Sequence, residues 1–256
     1  MIYELKQLEK ADILFRDWQE TMVWSCLQGV MGTIYVDSRE HPQTAMARLG
    51  DFVFFAGRPD KEFVLSGPGR GGHEFTIMVP GDGAWTDLIV ECCGKNARRV
   101  VRYAIQKEPD VFDRERLQKL AEGLPEGMVF EMMDERLFRY CKETEWCRDW
   151  VAQYDDYAMY QNWGMGVVAL KDGEVVSGAS SYSGYRGGIE IQIDTRKDCR
   201  RQGIACACGA KLILECLKRG WYPSWDAQNP ASVALAEKLG YHLDHEYTAF
   251  EVMADH

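Results

Sequence analysis

Residues 189–195 alternate strictly: Ile189, Ile191 and Ile193 fall on one side, Glu190, Gln192 and Asp194 on the other. A period of two built on β-branched residues predicts a strand whose rows face opposite sides of a sheet. A basic stretch with one glycine follows, RKDCRRQGIA, and the period then changes. Over residues 205–219, Leu212, Ile213, Cys216 and Leu217 form the apolar stripe of a helix, which Gly220 ends. Upstream, two apolar runs (167–170 and 174–176) flank Lys171-Asp172-Gly173, an Asp-Gly hairpin signal. Residues 177–183 and a turn at 184–188 lead from that hairpin into the alternating strand. Downstream, residues 221–225 predict a short strand with Pro223 near its start, where a sheet tolerates proline. Asn229 then caps a helix opened by Pro230, Gly240 stops it, and residues 241–253 alternate loosely, as a final hairpin would. Before the first hairpin, Leu137, Tyr140, Cys141, Trp146, Trp150 and Tyr154 recur at helical spacing and predict one or two amphipathic helices over 134–160.

The first half of the chain carries weaker signals. Short apolar runs predict strands at 52–55, 63–65, 75–79 and 88–90, and helices are expected at 12–22 and 44–49. The glycine-rich stretch from Gly67 to Gly72 lacks both a Walker lysine and a following helix, so it reads as a plain turn. Residues 41–52 weakly echo 229–241, a match too short to establish a degenerate half-copy. Turn formers around Pro125 make 122–127 the best linker and divide the chain into domains 1–123 and 124–256.

Composition narrows the class. A hydrophobic content of 46% in 256 residues supplies a core without a staple. The nine cysteines lack zinc spacing and read as packed thiols in a reducing compartment. The N-terminus has no apolar leader and no run reaches membrane-spanning length, so a cytoplasmic protein with no membrane partner is expected. A net charge of −10 disfavours nucleic acid and mildly favours cationic partners. His242 and His245 sit in a strand-like segment on opposite faces, so no metal site is expected.

The basic turn is where chemistry is expected. Strand, glycine turn and helix N-terminus together present free N–H groups to an anion, here over Arg201, Gln202, Gly203, Ile204 and Ala205. Neither the dinucleotide fingerprint nor the Walker loop is present. The spacing Arg200-x-x-Gly203-x-Ala205 instead resembles the [QR]-x-x-G-x-[GA] signature of the GNAT superfamily of acyl-coenzyme A dependent N-acetyltransferases. WDAQN and LAEKLGY, ending at Asn229 and Tyr241, resemble a bacterial subgroup with an extra N-terminal region.

The resemblance covers roughly the second half of the chain. It implies an α/β (α+β) domain with a mixed central sheet and helices on both faces, preceded by a smaller αβ accessory domain. It also implies acetyl-coenzyme A as co-substrate, its pyrophosphate on the 201–205 turn with Arg200, Arg201 or Lys197 screening the charge. The pantetheine arm would lie along the splayed strand at Ile193 and Thr195, with Asn229 and Ser232 beside it. A main-chain N–H there would polarise the thioester carbonyl.

Direct attack by a primary amine needs a proton acceptor. Glu190 matches the family's acidic strand position, and Asp194 is the next candidate. Many members carry a tyrosine where this chain has Ala236, so protonation of the leaving thiolate falls to Tyr241, to Tyr247 or to no residue. Transfer through Cys199, Cys206 or Cys208 is disfavoured, since no histidine lies nearby in sequence. The same features also fit a non-catalytic acyl-coenzyme A sensor. The N-terminal domain would shape the acceptor site or mediate a homodimer.

Overall fold

The structure, a computed structural model, describes residues 1–67 and 75–253; residues 68–72 of the glycine-rich stretch lie outside these. Two compact units form, one from Met1–Arg102 with the segment from Glu246 on, the other from Tyr103–His245. Residues 103–123, read from sequence as the end of a first domain, therefore lie in the second unit. The reason is packing: Leu117 and Ala121 are buried in the second unit's core.

In the first unit, β1 (Tyr3–Glu4), β2 (Thr33–Val36), β3 (Thr44–Leu49) and β4 (Phe52–Gly57) pair antiparallel in order. β5 (Phe75–Val79) runs parallel to β4. Helix α1 (Thr21–Leu27) replaces the helix expected at 12–22, α2 (Lys61–Ser66) replaces the strand at 63–65, and α3 (Gly83–Cys93) replaces the strand at 88–90. Asp60 and Asp82 cap α2 and α3, a signal that a three-residue apolar window overlooks. The helix expected at 44–49 is strand β3. All six of its residues are buried, so no polar alternation marked it and its good helix formers misled. This also removes the echo of 229–241. β6 (Ala97–Ile105) leads from the first unit into the second.

The second unit holds α4 (Arg114–Glu122), β7 (Met128–Met132), α5 (Glu135–Glu143), α6 (Tyr157–Trp163), β8 (Gly166–Lys171), β9 (Glu174–Tyr185) and β10 (Gly188–Thr195). There follow α7 (Ile204–Arg219), β11 (Tyr222–Ser224), β12 (Asp226–Ala227) and α8 (Pro230–Leu239). β13 (Leu243–Met253) is one long strand where a hairpin was expected, and its end pairs with β5 through Phe250 and Met78. The central sheet has the order β11-β10-β9-β8-β7, parallel at β10–β11 and antiparallel elsewhere. The Asp172-Gly173 turn forms as expected, both residues at positive φ (52° and 83°). α7 lays Cys208, Leu212 and Ile213 on the row Val167, Ala169, Ile189 and Ile191, all buried. The 134–160 segment is helical only in part. α5 is followed by a 3-10 turn at Glu145–Trp150, which buries Trp150 against Gly178.

Candidate active site: a bare helix N-terminus and a strand fork

Gly203 opens α7 in the left-handed region at φ 83°, which an L side chain rarely adopts. A Cβ built there meets nothing within 4 Å, so the glycine faces open space. Among the described residues no side chain caps this helix, and its first backbone bond runs from Ala207 N–H to Gly203 C=O at 3.1 Å. The N–H groups of Ile204, Ala205 and Cys206 therefore point outward with the positive end of the helix dipole behind them. Arg201 also adopts positive φ (62°), which tightens the turn.

These groups floor a groove of about 410 Å³. Of the expected residues, Ile193, Asp194, Thr195, Arg200, Arg201, Gly203, Ile204, Ala205, Asn229 and Ser232 line it; Glu190, Lys197 and Gln202 do not. The sequence reading missed Gln228 and Ala231, and with them Leu235 and Lys238. Leu235 and Lys238 follow from Ala231 at i+4 and i+7 along α8, a spacing that places all three on one helix face. Arg196 is unavailable to an anion, since it is held by Asp198 at 2.8 Å and Glu174 at 2.9 Å. Arg200, which lines the groove, donates through Nε to the Thr195 carbonyl (3.1 Å), a bond that does not use its terminal nitrogens. Asn229 does cap α8, its Oδ1 accepting from Ser232 N–H at 3.0 Å.

The wall made by β10 is set by a divergence of strands. β10 pairs with β11 at Gly188–Tyr222, Ile189–Pro223 and Glu190–Ser224. The chain then turns away, and Asp226 and Ala227 pair instead with Ala104 and Tyr103 of β6. Beyond Glu190, β10 thus has no strand neighbour on that side among the described residues, and its backbone from Ile191 to Thr195 can receive an extended ligand. Gly209 lets α7 sit close to this wall: a Cβ there would stand 3.0 Å from Ile193 Cδ1 and 2.7 Å from Leu239 Cδ1.

The two candidate carboxylates are separated. Asp194 lies on the groove, its Oδ2 accepting from Gln192 Nε2 (2.8 Å) and Trp150 Nε1 (3.3 Å). Burial raises its pKa, and those two hydrogen bonds oppose the rise. Glu190 sits four residues along the strand, roughly 13 Å away, at the apex of the fork and only 5% exposed. Among thiolate-protonating candidates, Tyr241 is buried with its hydroxyl donating to the Pro223 carbonyl at 2.6 Å, and Tyr247 belongs to the first unit. Cys206 lines the groove, but burial raises its pKa. Trp150, Tyr154, Tyr182 and Trp225 are core rather than pocket wall. Among the described residues no three His, Cys, Asp or Glu side chains cluster as metal ligands, and no helix is long and apolar enough to cross a membrane.

A strand fork beside an uncapped glycine-turn helix is the arrangement that the sequence resemblance implies, and comparison with known proteins extends it. A protein of Bacillus subtilis 168 described as the uncharacterized N-acetyltransferase YdfB is 26% identical over 261 residues, covering 96% of this chain and 95% of that one. The crystal structure of a GCN5-related N-acetyltransferase-like protein from Streptococcus suis superposes with a TM-score of 0.91 at 46% identity, over 96% and 98% of the two chains. A GCN5-related N-acetyltransferase from Sphaerobacter thermophilus shares the fold at a TM-score of 0.55 and 12% identity, over 99% and 95%. The family described as GNAT acetyltransferase matches residues 12–250, and so runs through both units. This chain belongs to the GNAT acetyltransferase family and is an acyltransferase.

Proposed function

We propose that the protein transfers an acetyl group from acetyl-coenzyme A to a primary amine, with Glu190 as the base. The observation that carries this reading is the continuity of the site. The bare N–H groups of α7 open onto a groove that borders β10 at Ile193–Thr195, and the unpaired edge of β10 runs on from there to a buried carboxylate at Glu190. The residues suit the co-substrate: an anion cradle that any Cβ at 203 would fill, two arginines beside it, and free backbone groups for a chain of amides. Bound there, acetyl-coenzyme A would supply an activated acetyl group. The protein's own work would be to fix the pyrophosphate with Arg200, Arg201 and the 204–206 amides. It would also orient the arm along Ile193 and Thr195, and accept the acceptor's proton at the Glu190 carboxylate. The net charge of −10 favours a cationic acceptor by steering.

Calorimetric titration with acetyl-coenzyme A is the first test. Micromolar binding that Gly203→Val abolishes, followed by amine-dependent thiol release, is the expected result; no binding by the unaltered protein would overturn it. A second reading, a non-catalytic acyl-coenzyme A sensor, is favoured by Ala236, which is fully buried and offers no proton to a leaving thiolate. Glu190→Gln separates the two: in the enzyme it lowers turnover with little change in co-substrate affinity, and in a sensor no turnover exists to lower.

A further inference from the structure

The outer prong of the fork is the thinnest part of the site. β11 has three residues, stands at the end of the sheet, and pairs with β10 at three positions only. Tyr222 N–H donates to the Gly187 carbonyl at 2.8 Å, so the backbone polar groups of Tyr222 face β10. Neighbouring residues of a strand turn these groups to opposite sides, and those of Pro223 therefore face outward. A proline there forfeits no ladder bond, since its missing N–H would have pointed away from the sheet. Its carbonyl is another matter. Pro223 is buried, and a buried carbonyl is costly to leave unpaired.

The donor comes from the far end of α8. Tyr241 directs its hydroxyl at the Pro223 carbonyl, 2.6 Å away and buried. The side chain has little freedom to move. Gly240 ends α8 at φ 105°, and Tyr241 N–H donates to the Ala236 carbonyl at 3.1 Å. The ring stands edge-on to Phe112 and Trp225, at 4.9 and 5.7 Å between centroids. α8 supplies the groove wall of Ala231, Leu235 and Lys238, so this one residue ties that wall to the prong. Tyr222 makes a second tether, its hydroxyl donating to the Gln106 carbonyl (3.2 Å) and accepting from Glu108 N–H (3.1 Å). It holds β11 opposite Gly188, well inside the paired part. Tyr241 holds it opposite Ile189, one residue before the pairing ends.

We propose that Tyr241 is a positioning residue for the co-substrate: its hydroxyl fixes the outer prong at the separation from β10 that the pantetheine arm requires. The role rests on the reading of acetyl-coenzyme A as co-substrate. Without the hydroxyl, a shift of β11 relieves the orphaned carbonyl, and three paired residues offer little to resist it. Such a shift changes the width of the fork and leaves the α7 turn, which follows the other strand, as it is. The arm then loses its fit and the phosphates keep theirs.

Calorimetry on Tyr241→Phe and Tyr222→Phe tests this with two ligands. One is acetyl-coenzyme A; the other is adenosine 3′-phosphate 5′-diphosphate, which keeps the phosphates and lacks the arm. Tyr241→Phe is expected to weaken acetyl-coenzyme A about 5- to 10-fold, the scale of one buried hydrogen bond, and to leave the armless ligand at parental affinity. Tyr222→Phe lowers the melting temperature and changes neither affinity. Parental binding of acetyl-coenzyme A by Tyr241→Phe would overturn the proposal. So would an equal loss for both ligands, failure to fold included, because the hydroxyl then supports the unit as a whole. Absence of acetyl-coenzyme A binding by the unaltered protein is a different failure: it removes the co-substrate reading itself, before any variant is made.

Discussion

The molecule makes the same connection twice and finishes it in two ways. In the first unit β4 leads through α2 to the parallel strand β5; in the second, β10 leads through α7 to the parallel strand β11. α2 has 6 residues and is closed by its own chain, the Asp60 carboxylate accepting from Glu62 N–H at 2.8 Å. α7 has 16 residues and starts at a glycine with no side-chain cap. A capped helix has already used the donors that an anion would want. The lesson is that the crossover itself binds nothing; what matters is which helix keeps its first N–H groups unspent.

Transplanting the first solution into the second should break the contrast most sharply. Gly203→Asp supplies a carboxylate at a position whose positive φ aspartate tolerates better than most residues. Affinity for acetyl-coenzyme A should fall by about 100-fold or more, since the new charge both occupies the amides and repels the phosphates. Calorimetry at fixed ionic strength reads this directly, and unchanged affinity would show that the turn is not a cradle. Arg201→Ala should cost less, about 10-fold in affinity, with a weaker dependence on salt than the parent because one screened contact is gone.

The reciprocal change in the first unit should leave binding alone. Asp60→Ala removes a cap and should lower unfolding free energy by about 1 kcal/mol, read by denaturant titration, with the dissociation constant for acetyl-coenzyme A unmoved. A binding defect in that variant would mean that the two helices are not independent.

The smallest effect concerns Asp194, whose pKa is raised by burial. The fold then favours the protonated carboxyl. Its contribution is full below the ordinary carboxylate value and is lost as pH rises through the folded value. Asp194→Asn lacks that loss, so its melting temperature relative to the parent should be higher at pH 7 than at pH 3.5, by about 1–2 °C. Melting curves at the two pH values check it, and a relative melting temperature that stays flat or falls from pH 3.5 to pH 7 would contradict the assignment.

The second unit was legible where single residues fix backbone geometry. Asp172-Gly173, Gly203, Gly220, Asn229-Pro230 and Gly240 mark turns, caps and stops that need no tertiary information, and all fall where the sequence placed them. The first unit lacks such markers in its strands. Thr44–Leu49, buried throughout, shows no alternation to read, and the apolar triads at 63–65 and 88–90 are too short for any period. Within the candidate site, Arg201, Gly203, Ile204 and Ala205 came from spacing along the chain, Ile193, Thr195, Asn229 and Ser232 from the family resemblance, and Leu235 and Lys238 went unread. The tether from Tyr241 to the Pro223 carbonyl was not legible either, because it depends on where the end of α8 meets the edge of β11, which no local pattern announces.

Gly209 has a bearing on how such a protein could change over generations. A Cβ at position 209 would press on the side-chain ends of Leu239 and Ile193, at 2.7 Å and 3.0 Å. A Gly-to-Ala codon needs one nucleotide change, and the added methyl would displace the ends of Leu239 and Ile193, the latter a wall of the groove, while every groove-lining residue keeps its identity. Mutational drift at this codon could therefore re-cut the groove's calibre without rewriting its chemistry, and a survey confined to contact residues would pass over it.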